Sequence, residues 1–146
     1  DLKAGQAIDR VGVMLSLNFP AGPELEKLSE KSDAVFKIRP SMKNADCSLS
    51  GVENKCKKML TENYEKSDIA LFCIDSVIAA LDGMYKALMP KYGALPVVFS
   101  GGVTSNKRIK NYFHDKYNAV FAEPAFSADN AAGTAVLSSI MYDRRK

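Results

Sequence analysis

A chain of 146 residues with 47% hydrophobic side chains has the length and apolar content of one compact domain, because chains of this size bury roughly 68–70% of the surface they expose when unfolded. Its 20 Lys and Arg against 17 Asp and Glu leave a formal charge of +3, too small and too scattered to mark a nucleic-acid binder by charge alone. The clearest apolar run, Ile69 to Ile74, falls far short of the ~20 residues of a membrane-spanning helix, and three cysteines without C-x-x-C spacing argue against a disulfide framework or structural zinc and for a reducing, cytoplasmic compartment.

The apolar residues Leu2, Ala4, Ala7, Ile8, Val11, Leu15 and Leu17 recur at helical spacing and predict a first helix that ends near Ser16 to Asn18. That helix starts almost at the first residue, so the chain reads as the C-terminal piece of a longer protein. Pro20-Ala21-Gly22-Pro23 forms a corner, and Pro23 opens a short helix, Glu24 to about Lys31, with acidic residues in its first turn. Residues 33–45 read as irregular or edge-strand chain, with Phe36 and Ile38 alternating before Pro40. Ser50-Gly51 is expected to cap a helix from Val52 to about Asn63, and Ser67 or Asp68 the next, which Pro90 should stop. Leu95 to Phe99 is a continuous apolar run, predicting a strand buried on both faces of a parallel sheet. A helix from about Ser105 to Lys116 and a second strand over Ala119 to Ala122 complete a β-α-β unit. A last helix begins near Ser127 to Asp129 and runs to the basic end.

Two loops carry the chemistry. Gly101-Gly102 follows the first buried strand and precedes a helix, so a ligand can approach the backbone closely there and helix-start N–H groups favour phosphate or polar sugar atoms. An ordinary strand-to-helix turn fits the same residues, and the pattern is neither G-x-G-x-x-G nor a Walker sequence. Asp129 stands at the equivalent end of the second strand, where open α/β sheets place ligands, although a plain cap of the last helix by Ser127 or Asp129 is the simpler reading of these residues taken alone. Asp9 lies within the first helix, a position that simple exposure explains. His114, the one histidine, is expected on a helix surface, and Cys73 in the core. The Lys55-Cys56-Lys57-Lys58 and Lys107-Arg108-Ile109-Lys110 runs read as solvated helix faces that are able to meet RNA phosphates.

In order, Ala4-Gly5-Gln6-Ala7-Ile8-Asp9-Arg10, Pro20-Ala21-Gly22-Pro23-Glu24-Leu25-Glu26-Lys27-Leu28, Asp46-Cys47-Ser48-Leu49-Ser50-Gly51, Gly101 to Arg108 and Ala128-Asp129-Asn130-Ala131-Ala132 resemble the C-terminal half of the tRNA threonylcarbamoyladenosine synthase family, formerly labelled O-sialoglycoprotein endopeptidases. The resemblance implies an incomplete ribonuclease H-like lobe of the actin-like, sugar-kinase-like ATPase superfamily, an α/β fold. It implies transfer of a threonylcarbamoyl group from its adenylate to a tRNA adenosine beside the anticodon, with other subunits of a tRNA-modification complex as partners. By position, Asp9, Gly22, Gly101, Gly102 and Asn106 would bind ATP or the threonylcarbamoyl-adenylate, and Asp129 a divalent metal, iron or zinc. The family's remaining metal ligands lie in an H-x-x-x-H segment, which this chain lacks, so the chain by itself is expected to be inactive. The motif before Ser50-Gly51 departs from the family's aromatic pattern, and Val52-Glu53-Asn54 and Gly133-Thr134 depart as well. A noncatalytic paralogue that binds nucleotide or a partner is therefore the competing expectation. A metalloendopeptidase, suggested only by the old label, ranks last, since no protease constellation is readable.

Overall fold

In a computed structural model of the protein, residues 2–123 and 131–144 are described. The described elements are helices with four short strands among them, and the chain divides into two compact units, Asp1–Pro96 and Val97–Lys146. No described helix is long and apolar enough to cross a membrane.

The first unit is helical around one central rod. Helix α1, Ala4–Met14, turns Ala7, Ile8 and Val11 inward, with Leu15 continuing the same stripe. It ends as expected near Ser16, which takes a left-handed φ of 69°, while Lys66 Nζ donates to the Leu15 carbonyl at 3.0 Å, a cation at the negative end of a helix. Helix α2, Gly22–Ser29, has a proline in its first turn and seats Leu25. Helix α3, Ser50–Thr61, buries Cys56 and Met59 and leaves Lys55, Lys57 and Lys58 outside. Its N-cap is Leu49 rather than the expected Ser50-Gly51 pair, which already lies within the helix.

Helix α4, Lys66–Tyr92, packs against all three. Its first half is buried on several sides, through Ile69, Ala70, Leu71, Cys73, Ile74, Val77 and Ile78, as a helix at the centre of a bundle must be. Its N-cap is Glu65, not Ser67 or Asp68. It also passes through Pro90, the expected stop, and ends at Gly93 with a φ of 75°. Pro90 lies in the final turn, where one absent donor costs little, and the Gly93 N–H closes the helix on the Met89 carbonyl at 2.8 Å.

Between α2 and α3, an antiparallel hairpin pairs β1 (Ser41–Lys43), at the end of the stretch expected to be irregular or edge-strand chain, with β2 (Asp46–Ser48) just past it. Asn44 turns it with a left-handed φ of 57°, a conformation asparagine tolerates. Met42 on β1 packs against α4 at Gly83, where a β-carbon would lie 2.9 Å from its sulfur.

The second unit is a parallel β-α-β arrangement. Strand β3, Val98–Phe99, pairs in parallel with β4, Val120–Phe121, and α5, Lys107–Tyr117, makes the crossover. A 3-10 turn over Gly102–Ser105 precedes α5. Asn118 ends α5 in the left-handed conformation and directs the chain into β4. The strands are not buried on both faces as expected. Phe99 and Phe121 stack at 5.2 Å, with Phe99 against buried Phe113 at 4.8 Å, whereas their neighbours Val98 and Val120 are 69% and 60% exposed. Successive strand residues alternate faces, and among the described residues only α5 supplies a covering layer. Helix α6, Ala131–Asp143, follows. The expected start of that helix near Ser127 to Asp129 lies outside the described residues.

Candidate functional site

The resemblance-implied residues fall in both units: Asp9 and Gly22 in the first, Gly101, Gly102 and Asn106 in the second. In the first unit, Asp9 projects from α1 and its Oδ1 accepts the Ala21 backbone N–H at 2.9 Å. Ala21 is the N-cap of α2, so the carboxylate satisfies a donor that the helix start leaves open and places negative charge at the positive end of its dipole. That bond joins Asp9 to the corner that carries Gly22. The fit at the corner is close: a β-carbon on Gly12 would lie 2.2 Å from the Ala21 β-carbon, so glycine at 12 is what lets α1 and the corner meet. Gly22 itself has room for a side chain, 3.9 Å from Ile8 Cγ2.

Asp9 also lines an open cavity of about 650 Å³, together with Arg10, Phe19, Glu53, Lys57 and Leu60. Arg10 and Glu53 pair across it at 3.1 Å. Its size lies in the range of small-molecule sites, and its walls are mainly apolar with two carboxylates and two cations. Sequence reasoning placed Asp9 but not Arg10 or Glu53, which sit far apart in the chain and are joined only by packing of α1 on α3.

In the second unit, Gly101 has a φ of 109° and ψ of 157°, backbone that glycine adopts at no steric cost. Among the described residues, nothing lies within 4 Å of where a β-carbon on Gly101 or Gly102 would stand. The Gly101 carbonyl accepts from both Thr104 Oγ1 at 2.8 Å and the Thr104 N–H at 3.2 Å. Asn106 is 9% exposed and caps α5, its Oδ1 accepting the Ile109 N–H at 3.1 Å. The pattern suggested a glycine pair leading straight into a helix; the 3-10 turn stands between them. The Ala122 N–H bonds the Phe99 carbonyl at 2.9 Å, so the segments after β3 and β4 leave the sheet from one end. Asp129, on the second of these, lies outside the described residues.

Among the described residues, no three His, Cys, Asp or Glu side chains gather closely enough to hold an ion. His114 is exposed, as expected, and its Nδ1 faces Asp115 at 3.2 Å. Cys56 and Cys73 are buried and all three thiols are free.

The model of the tRNA N6-adenosine threonylcarbamoyltransferase (TsaD) family matches residues 1–136. This chain belongs to that family. Among proteins bearing the name tRNA N6-adenosine threonylcarbamoyltransferase, the one from Kosmotoga olearia is 29% identical over an alignment covering 100% of this chain and 46% of the relative. That of Thermococcus sibiricus is 32% identical over 75% of the chain and 34% of the relative, and that of Buchnera aphidicola 32% identical over 97% and 46%. The chain therefore spans less than half the length of these TsaD relatives. The family resemblance read from the ordered motifs is thus correct.

Proposed function

We propose that this chain is the C-terminal part of a tRNA threonylcarbamoyltransferase, an incomplete ribonuclease H-like lobe of an actin-like ATPase fold, and that its residues hold the nucleotide end of a threonylcarbamoyl-adenylate. The observation that carries this is Asp9: a carboxylate fixed at a helix N-terminus, with one oxygen committed to the Ala21 N–H and the other without a described partner, on the wall of a cavity of ligand size. A fixed carboxylate accepts hydroxyl donors of a ribose with a gain of about 1.5–3 kcal/mol per charged hydrogen bond. Gly22 leaves the corner beside it unobstructed. Gly101 and Gly102 offer backbone without a side chain in the way, and Asn106, whose oxygen is held by Ile109, presents its amide nitrogen as a donor.

In the reaction that the family name implies, an adenosine amine of tRNA attacks the threonylcarbamoyl carbonyl carbon, the bond from that carbon to the adenylate oxygen breaks, AMP departs and the amine loses a proton. The residues of this chain contribute by holding the leaving nucleotide in place, which lowers the entropic part of the barrier. Asp129 is assigned as one donor to a divalent metal; this chain does not supply the rest of the set, and no step above uses it. In this reading the protein works in the cytoplasm, beside the other subunits of the modification machinery.

The test uses the full-length protein that carries this chain. Asp9→Asn keeps an oxygen for the Ala21 N–H and so keeps the corner, while removing the charge offered to the ribose. The expected result is a urea midpoint lowered only by the lost charge at the α2 N-terminus, with nucleotide binding weakened about tenfold, ~1.4 kcal/mol, and slower threonylcarbamoyl transfer measured by mass spectrometry of tRNA nucleosides. Undiminished binding and transfer would remove Asp9 from the site. Nucleotide binding by the wild type without any transfer favours the noncatalytic reading, and Asp129→Ala, expected to abolish transfer with the fold intact, tests the metal assignment.

A further inference from the structure

A second cavity of about 330 Å³ opens in the first unit, lined on α3 by Gly51, Val52 and Lys55, where the cavity that Asp9 lines uses Glu53, Lys57 and Leu60. It is bounded by the 37–41 segment, β2, the start of α3 and the middle of α4. Its charged lining residues are Lys37, Arg39 and Lys55; no carboxylate lines it. All three are exposed and none makes an ion pair among the described residues. The alternation that sequence reading assigned to Phe36 and Ile38 explains the arrangement. Phe36 turns in and meets the Phe72 ring edge-on at 5.4 Å, so Lys37 and Arg39 turn out. Ser32 fixes the start of this segment by donating to Asp68 on α4. The floor is apolar, including Leu49, Val52 and Phe72, and at Gly51 nothing among the described residues lies within 4 Å of a β-carbon.

We propose that this cavity receives an unpaired nucleotide of an RNA strand, the base against the apolar floor beside Phe72 and the flanking phosphates on Lys37, Arg39 and Lys55. Three cations unopposed by a carboxylate around an apolar hollow match a ligand that is flat and apolar at one end and anionic at the other. Binding of single strands combines these two features, a cationic track for the backbone and an aromatic-lined place for a base. The cavity near Asp9 lacks this bias, since its two cations face two carboxylates. RNA is chosen over free nucleotide because the three cations are spread along a segment and a separate helix, as successive phosphates are. That choice of polymer rests on the tRNA reading above.

The experiment measures binding of a fluorescently labelled single-stranded RNA oligonucleotide to the chain by anisotropy across a salt series. The triple variant Lys37→Ala, Arg39→Ala, Lys55→Ala is expected to bind at least about tenfold more weakly, with the slope of log K against log salt shallower by ~2, the value for three lost phosphate contacts on a single strand. The control Lys3→Ala, Lys27→Ala, Lys31→Ala removes equal charge from exposed positions elsewhere in the unit and is expected to lose much less. Equal losses in the two variants, no loss in the first, RNA duplex bound as tightly as single strand, or no binding by the wild type would each overturn the proposal. Transfer activity is scored separately in the full-length protein: RNA binding at these residues without transfer sinks the functional reading and leaves this one, and transfer with RNA binding indifferent to them does the reverse.

Discussion

Glu24 and Cys73 show how single side chains report on their surroundings. Glu24 accepts from the Asn18 side-chain amide at 3.0 Å and from the Asn18 N–H at 3.1 Å. The side-chain bond first, and then the backbone bond, holds its carboxyl below the usual glutamate range. A carboxyl whose folded value is depressed lends stability that is complete above its unfolded value and fades as pH falls through the folded one. Glu24→Gln should therefore lower the urea midpoint at neutral pH and leave it nearly unchanged in acid, flattening the acid limb of the stability-against-pH curve. In Cys73, hydrogen bonding with Cys56, and then burial, pushes the thiol well above its usual range. An aromatic disulfide reagent should accordingly label Cys47, the half-buried thiol, and reach Cys56 and Cys73 only as the chain unfolds; equal labelling rates would contradict the packing of α3 on α4. The sequence indicated that Cys73 packs in the core, but not that Cys56 lies beside it, since the pairing depends on two helices meeting.

At the scale of elements, the tightest joint is the α1–α2 corner. Gly12→Ala would set its β-carbon against that of Ala21, so the corner must move; overpacking of this kind costs about 1–3 kcal/mol. Thermal unfolding should show the loss, and a fully stable Gly12→Ala protein would mean the corner has slack that the geometry denies. The corner itself was legible from Pro20, Gly22 and Pro23, and most helices from their apolar spacing, because those signals are local. Pro90 misled for a physical reason: a proline in a last turn forfeits one bond, and the helix closes only at Gly93, whose positive φ ends it. The β1–β2 hairpin escaped detection because each strand is three residues long and too short to show an alternation. The strands around Phe99 and Phe121 were placed correctly, but their burial was not, because a run of apolar residues cannot say how many layers cover it. At the site, Gly101 announced its conformational role, whereas Asn106 fits a cap and a ligand donor equally well, and only its bond to Ile109 shows which of its atoms remains for a ligand.

For the molecule as a whole, the two units differ in how much apolar chain they bury. The first has the continuous interior centred on α4, while Ile109, Phe113 and Ala119 are the buried apolar residues described in the second. Regions with few buried contacts open at lower free energy. Native-state hydrogen exchange should therefore release the amides of α5 and β4 well before those of the first half of α4, and simultaneous exchange would mean the chain opens as one cooperative body.

The thin interior beneath the Gly101-Gly102 loop has a thermodynamic corollary. A molecule gripped by that loop would act as a folding reagent for α5 and its strands, contributing about 2.7 kcal/mol when present at a hundredfold excess over its dissociation constant. The melting of this half of the chain would then track the logarithm of ligand concentration, turning a calorimetric scan into a direct gauge of occupancy.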